Sequence, residues 1–217
     1  MLIRPKTSLL IEVARSRMGL FTRRRLRLIV AKAASGALPN AAWLAWPPLL
    51  RNTISWSETY GVYAAPAPND AGQLIVPVAT RYPAAERAIH PYLAAGFAAP
   101  VPDNGVPQRH YDVRNDSAFT AAFGLVQAAS VNGLEVLAAV NLIVLPPCAA
   151  ADFTSQTDLY VWAAPDVSSG TTAAVAPEHA IRIPLSSSGQ RAKYYYGDLF
   201  TVHKPTMIED EASHNDS

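Results

Sequence analysis

Cysteine is almost absent: Cys148 is the only one in 217 residues, so no disulfide can form within the chain. That usage fits a reducing compartment. Cys148 lies among Pro and Ala and reads as a packed small residue, not a nucleophile. Charge is scarce as well. Asp, Glu, Lys and Arg make up 16% of the residues, against roughly 25% in an average soluble domain. No uncharged apolar run reaches the ~18 residues of a membrane span. The best stretch, Leu134 to Ala151, carries Glu135, Asn141 and two prolines.

Chemistry-bearing motifs are missing too. There is no GxSxG elbow, no GxxxxGK[ST] phosphate loop and no GxGxxG turn. The five histidines have no second His or Cys at ligand spacing, which argues against a zinc site. No cofactor and no enzymatic activity are expected. His110 stands near Asp103, Asp112 and Asp116. Such a group can bind a cation, but turn and cap carboxylates are the commoner reason for acids in a loop. Tyr194, Tyr195 and Tyr196 are consecutive and cannot share one strand face, so they suit a core or interface role better than base stacking.

What the chain does have is a division of charge. Residues 1–36 hold nine basic residues against the single acid Glu12, a net +8, while the other 181 residues hold nine basic and 16 acidic, a net −7. The basic group comprises Arg15, Arg17, Arg23, Arg24, Arg25, Arg27 and Lys32 together with Arg4 and Lys6. Leu10, Val13, Ala14, Met18 and Phe21 fall near helical spacing after Thr7 and Ser8, which predicts a helix. Residues 23–30 partly alternate, which suits an extended segment. Three readings of this arm compete. It contacts nucleic acid through phosphate, or it is an organelle transit peptide, or it packs on a neighbouring subunit.

Proline is abundant, at 18 residues. Three prolines break residues 36–50 into a linker that carries Trp43 and Trp46. Tryptophan is favoured at subunit interfaces, and it also caps cores. Beyond the linker, apolar alternation predicts strands over 53–65, 73–80, 109–114, 179–185 and 193–204. Residues 84–97 are the best helical candidate of the body, broken by Pro91. Residues 117–130 fit a helix or a buried strand. Leu134–Leu145 and Asp158–Ala164 read as two strands of one sheet joined by a loop. Leu142, Val144, Leu159, Val161, Ile181, Ile183, Phe200 and Val202 are the expected core. Low charge and many prolines suggest surface covered by neighbouring chains, or, equally well, a GC-rich genome whose codons favour Ala, Pro and Arg.

Short strands between Pro, Gly and Asn loops, with few helices, point to a mainly β chain, a β-sandwich or a barrel. The central stretch resembles the last hairpin of jelly-roll capsid proteins of picorna-like and related small icosahedral RNA viruses. The likeness lies in VNLIVLPP (Val140 to Pro147), TSQT (Thr154 to Thr157) and DLYVWAAPD (Asp158 to Asp166). It implies an eight-stranded jelly-roll type antiparallel β-sandwich. That sandwich would cover 51–205, after an arm and linker over 1–50 and before an acidic polar tail over 206–217. It also implies a structural virion protein that assembles with copies of itself and other capsid subunits, its arm contacting viral RNA. Its places would be the virion and, during assembly, the host cytoplasm. Two alternatives stand beside this one. The first is a decoration or crown protein on the outside of a viral shell. The second is an organelle-targeted β-sandwich that binds a ligand or catalyses a hydrolysis.

Overall fold

In the computed structural model, residues 6–33, 38–155, 158–172, 177–185 and 193–208 are described. Their elements follow in chain order. β1 (Lys6–Val13) leads through a 3-10 turn (Arg15–Arg17) and α1 (Met18–Arg23) to β2 (Leu26–Lys32). Next come β3 (Ala41–Ala42), β4 (Leu44–Trp46), the long β5 (Arg51–Ala65), β6 (Ala79–Arg81), β7 (Ala88–Leu93), β8 (Gly96–Phe97) and β9 (Val101–Pro102). β10 (His110–Asn115), β11 (Ala121–Val131), β12 (Leu134–Ala139), β13 (Ile143–Leu145) and β14 (Ala150–Thr154) follow. The last are β15 (Asp158–Pro165), β16 (Thr171–Thr172), β17 (Ile181–Pro184), β18 (Lys193–Tyr196) and β19 (Phe200–Ile208).

The chain is mainly β, in several antiparallel sheets. The main sheet has the order β12-β11-β5-β1-β19-β18, with β13 also on β11 and β6 on β5. A second runs β14-β10-β7-β8, with β9 on β7, and only its β10–β7 pair is parallel. A third runs β17-β15-β2-β4. One core joins all three, because Leu9, Ile54, Phe123, Tyr111, Leu28 and Leu159 belong to the same buried cluster. Side chains of the main sheet and of the two smaller sheets thus pack into one buried cluster. No helix of the described residues is long and apolar enough to cross a membrane.

The basic segment is woven into this core. The expected helix over residues 7–21 is instead β1, followed by one short helix. Leu9, Ile11 and Val13 alternate inward, and β1 lies between β5 and β19. Leu28, Ile29, Val30 and Ala31 of β2 are fully buried because its sheet is covered on both faces. Residues 6–13 and 26–32 thus belong to the sheets of the body. Of the acidic tail, Thr206, Met207 and Ile208 continue β19, and 209–217 lie outside the described residues.

Other expectations shift for local reasons. Residues 84–97 form β7 and β8, not a helix. Pro91 cannot donate within a helix; in β7 its carbonyl accepts the Ala98 N–H at 2.9 Å. Residues 117–130 resolve as the buried strand β11. Over 73–80, Leu74 makes one bridge to Thr171 and only the end enters β6. Leu134–Leu145 bends at Val140–Leu142 into two strands, both on β11. It forms no hairpin with β15, which pairs with β2 and β17. Leu159, Val161, Ile183, Phe200 and Val202 are buried as expected, whereas Val144 is exposed and Leu142 and Ile181 are half-buried. Cys148 is exposed, not packed. It sits in a tight turn at φ 62°, where its N–H donates to the Asn115 carbonyl at 2.7 Å.

Candidate nucleic-acid interface

The basic residues nearest the surface are held by the connection between β1 and β2. Val13 is fixed at the end of the main sheet, its N–H donating to the Leu50 carbonyl at 2.9 Å. The chain turns through Arg15–Arg17 and enters α1, which is too short to stand alone. Phe21, 2% exposed, anchors it to the core. Arg25, at φ 51°, turns the chain out of the helix and into β2. Arg15, Arg23, Arg24 and Arg25 are exposed, and Arg17 and Arg27 are half-buried.

Arg17 donates to Asp198 in a close ion pair. Arg15, Arg23, Arg24, Arg25 and Arg27 make no ion pair among the described residues. Beside them opens a cleft of about 570 Å³, lined by Phe21, Arg25, Arg27, Pro47, Pro48 and Asp166 among others. Arg25 and Arg27 put two guanidinium groups in its lining against the one carboxylate of Asp166, a small positive surplus that suits an anionic ligand. Arginine's planar fork also matches phosphate and carboxylate oxygens in pairs.

Lys32 does not belong to this surface. β2 turns it inward, and its side chain is fully buried. Its ammonium donates to the Tyr60 hydroxyl at 3.0 Å and lies 4.7, 5.2 and 5.2 Å from the ring centres of Trp43, Trp56 and Tyr60. Glu58, 3.7 Å away, balances the charge. Its carboxylate accepts from the Trp56 indole and the Tyr60 hydroxyl, each at 2.8 Å. Trp43 and Trp46 are likewise consumed in the interior of their own chain. Trp43 donates to the Gln127 carbonyl at 3.1 Å and packs edge-on against Trp56, while Trp46 donates to Asn52 at 3.0 Å. Neither ring is free to enter a neighbouring subunit. Glu58 and Tyr60 escaped the sequence reading. The signal for them was an acid on the inward parity of β5, two residues after Trp56.

Burial lowers the Lys32 pKa to about 8, against the opposing pull of Glu58. The folded state therefore carries a penalty that is full below pH 8. It is relieved as the pH rises toward the unfolded value near 10.5, where the unfolded chain binds more protons than the folded one. The gap corresponds to about 3 kcal/mol. Burial of the Tyr60 and Tyr63 hydroxyls raises their pKa values, which lowers stability only above pH 10. The double variant Lys32→Met and Glu58→Gln should be as stable as the parent or more so at pH 7, since replacing both charges removes the desolvation cost without leaving a carboxylate lacking its cation. Urea unfolding from pH 7 to 10 checks this. The parent should gain about 2 kcal/mol on the variant between pH 8 and 10, and a flat difference refutes the buried cation.

The acids near His110 have ordinary uses. His110 and Asp152 form a close pair across β10 and β14, at 2.7 Å. Asp112, opposite Asp152 in the register, has its pKa raised by burial first and by the Asp152 charge second. Arg114 holds Asp116 at 2.7 Å, and Asp103 accepts from the Gly105 N–H at 2.8 Å in a turn. Among the described residues no three His, Cys, Asp or Glu side chains are placed to hold a metal ion.

No family model, curated protein or solved structure matches this chain.

Proposed function

We propose that this protein is a structural subunit of an icosahedral viral shell, a jelly-roll type sandwich whose arginine-rich end faces packaged RNA. One observation carries the reading. Five guanidinium groups without ion-pair partners among the described residues project from one end of a β scaffold. Phosphate is the partner that such a group fits. Binding would neutralise backbone charge and release counterions, with no base-reading element and hence no sequence preference. The net −7 of residues 37–217 would keep the genome off the remaining surface. In this reading the arginines act from a folded platform rather than a trailing arm, so less ordering entropy is lost on binding.

The test is the variant Arg23→Ala, Arg24→Ala, Arg25→Ala and Arg27→Ala. Four phosphate contacts give a slope of log affinity on log salt of roughly −3 for single strands, at about −0.7 each. The variant should lose most of that slope and most of its affinity for single-stranded RNA. Its stability should change little, because surface substitutions are usually within about 0.5 kcal/mol. An unchanged slope and affinity would sink the RNA reading and favour a decoration protein on the outside of a shell.

A further inference from the structure

We propose that two copies of this chain join through β12, edge to edge and antiparallel, so that the main sheet of one copy runs on into that of the other. The inference deepens the reading of the chain as a shell subunit, on which it rests, by naming one of its subunit contacts.

β12 is the last strand of the main sheet, with β11 on one side and no strand on the other among the described residues. Its ladder fixes which backbone groups are spare. The turn from β11 to β12 has two residues, Asn132 and Gly133, between the paired Val131 and Leu134. The pair that closes such a turn is hydrogen-bonded. Six residues on, the Val140 N–H donates to the Leu125 carbonyl at 2.7 Å, which gives the same phase. Leu134, Val136, Ala138 and Val140 therefore bond to β11. The N–H and C=O groups of Glu135, Leu137 and Ala139 point the other way, out of the sheet edge.

Nothing in the strand blunts that edge. Lysine, proline or a bulge usually guards an exposed edge against pairing. The sequence LEVLAA has no lysine or proline, and its register on β11 is unbroken. Leu134 and Leu137 are 73% and 53% exposed. A groove of about 230 Å³ lies beside them, lined by Leu74, Ile75, Pro77, Val136 and Leu137 among others. Val76 and Val78, of the segment that borders it, are exposed as well. A strand pair alone falls short of the roughly 800 Å² per partner of a stable interface, and these apolar side chains widen it.

A second copy is the occupant that the edge itself specifies. The open run, 134–138, is short. The tight turn bounds it at one end. At the other, a Cβ on Gly170 would stand 3.7 Å from the Ala139 nitrogen, so a long strand from elsewhere would meet the Ser169–Gly170 loop. A second β12, turned by a two-fold axis, ends there in its own turn. Two registers use the spare groups. One sets Leu137 opposite the partner's Leu137, and drives the Ser169–Gly170 loop toward the partner's Glu135. The other sets Glu135 opposite the partner's Leu137 and Val136 opposite the partner's Val136. It brings the partner's Gly133 to Ala139, and Gly133 has no side chain and open space around it. The second register is the one that fits. It also keeps the two glutamates from facing each other. The contact is isologous, so it closes on itself and consumes both edges.

Charge placed across the strand pair tests the contact and its register in the full-length protein. Leu137→Glu sets a carboxylate opposite the partner's Glu135, twice in each dimer. Sedimentation velocity should then show association about tenfold weaker or more, since like charges directly opposite repel. Adding Glu135→Lys should restore association to within about threefold of the parent, because each new carboxylate then faces a cation. Both positions are exposed, so circular dichroism should match the parent. Val136→Cys, made with Cys148→Ser to remove the exposed native thiol, should give a disulfide-linked pair of chains on oxidation. The opposed Cα atoms of such a pair lie ~4.5 Å apart, inside the disulfide range. Leu134→Cys in the same background should not cross-link, because it faces Ala138.

A monomeric parent, a Leu137→Glu protein that associates like the parent, a loss that Glu135→Lys does not rescue, or no cross-link at Val136 overturns the edge pairing. Assembly into larger particles without that cross-link overturns the pairing and leaves the shell reading standing. A protein that stops at the cross-linked dimer and has no affinity for single-stranded RNA upholds the pairing and defeats the shell reading instead.

Discussion

Removing residues 1–33 should abolish the folded state rather than trim a tail. Leu9, Ile11, Leu28, Ile29 and Val30 are fully buried, and Val13 nearly so. Burying aliphatic side chains of this size contributes about 1.5–3 kcal/mol each, so the six together contribute about 9–18 kcal/mol. A whole domain is stable by only about 5–15 kcal/mol. The loss also strips β5 and β19 of their shared neighbour and β15 of β2, which exposes ladder groups at the centre of two sheets. Urea unfolding followed by circular dichroism should show no cooperative transition in the truncated chain. A truncated protein with the parent's midpoint would mean that the segment is dispensable after all. The same result would revive the organelle reading, in which a presequence of this length is cleaved away. As a milder probe, Ile11→Ala should cost about 2–5 kcal/mol.

The second large effect should come from a single methyl group. Gly124, in β11, lies against the bend that separates β12 from β13. A Cβ there would stand 2.1 Å from the Asn141 carbonyl oxygen, 2.8 Å from the Asn141 side-chain oxygen and 2.8 Å from the Tyr63 ring. That carbonyl accepts from the Tyr63 hydroxyl at 2.7 Å, and the Asn141 side chain accepts the Leu125 N–H at 2.8 Å. All three residues are fully buried, so none has room to give way. Moving backbone in a packed core costs about 1–3 kcal/mol, and each broken buried hydrogen bond adds about 1 kcal/mol. Gly124→Ala should therefore destabilise by about 3–5 kcal/mol. Gly133→Ala is the control. That glycine has φ 85° in the β11–β12 turn and nothing within 4 Å of an added Cβ, so only the left-handed backbone is strained, by about 1–2 kcal/mol. Equal costs at the two sites would show that close packing at the bend is not what requires Gly124.

Both effects concern features that differ in how far they could be seen in advance. The sequence by itself determined the class of structure, because β5, β10, β17 and β19 alternate apolar and polar residues with strand period, β15 is a short apolar-aromatic run, and Pro and Gly mark the turns between them. It also determined that the basic charge is concentrated near the start of the chain, since charge is carried by residue identity alone. Which of those charges reach water was decided by the tertiary structure. Arg23, Arg24, Arg25 and Lys32 read alike along the chain, yet Lys32 enters an aromatic cage because β2 is covered on both faces. Trp43 and Trp46 suit an interface or a core equally well as isolated residues, and only the strands folded around them place them inside. Over residues 7–14 helical and strand spacing both fit the apolar positions. The strand prevails because β5 and β19, some forty and two hundred residues away, supply ladder partners that no short window of sequence contains.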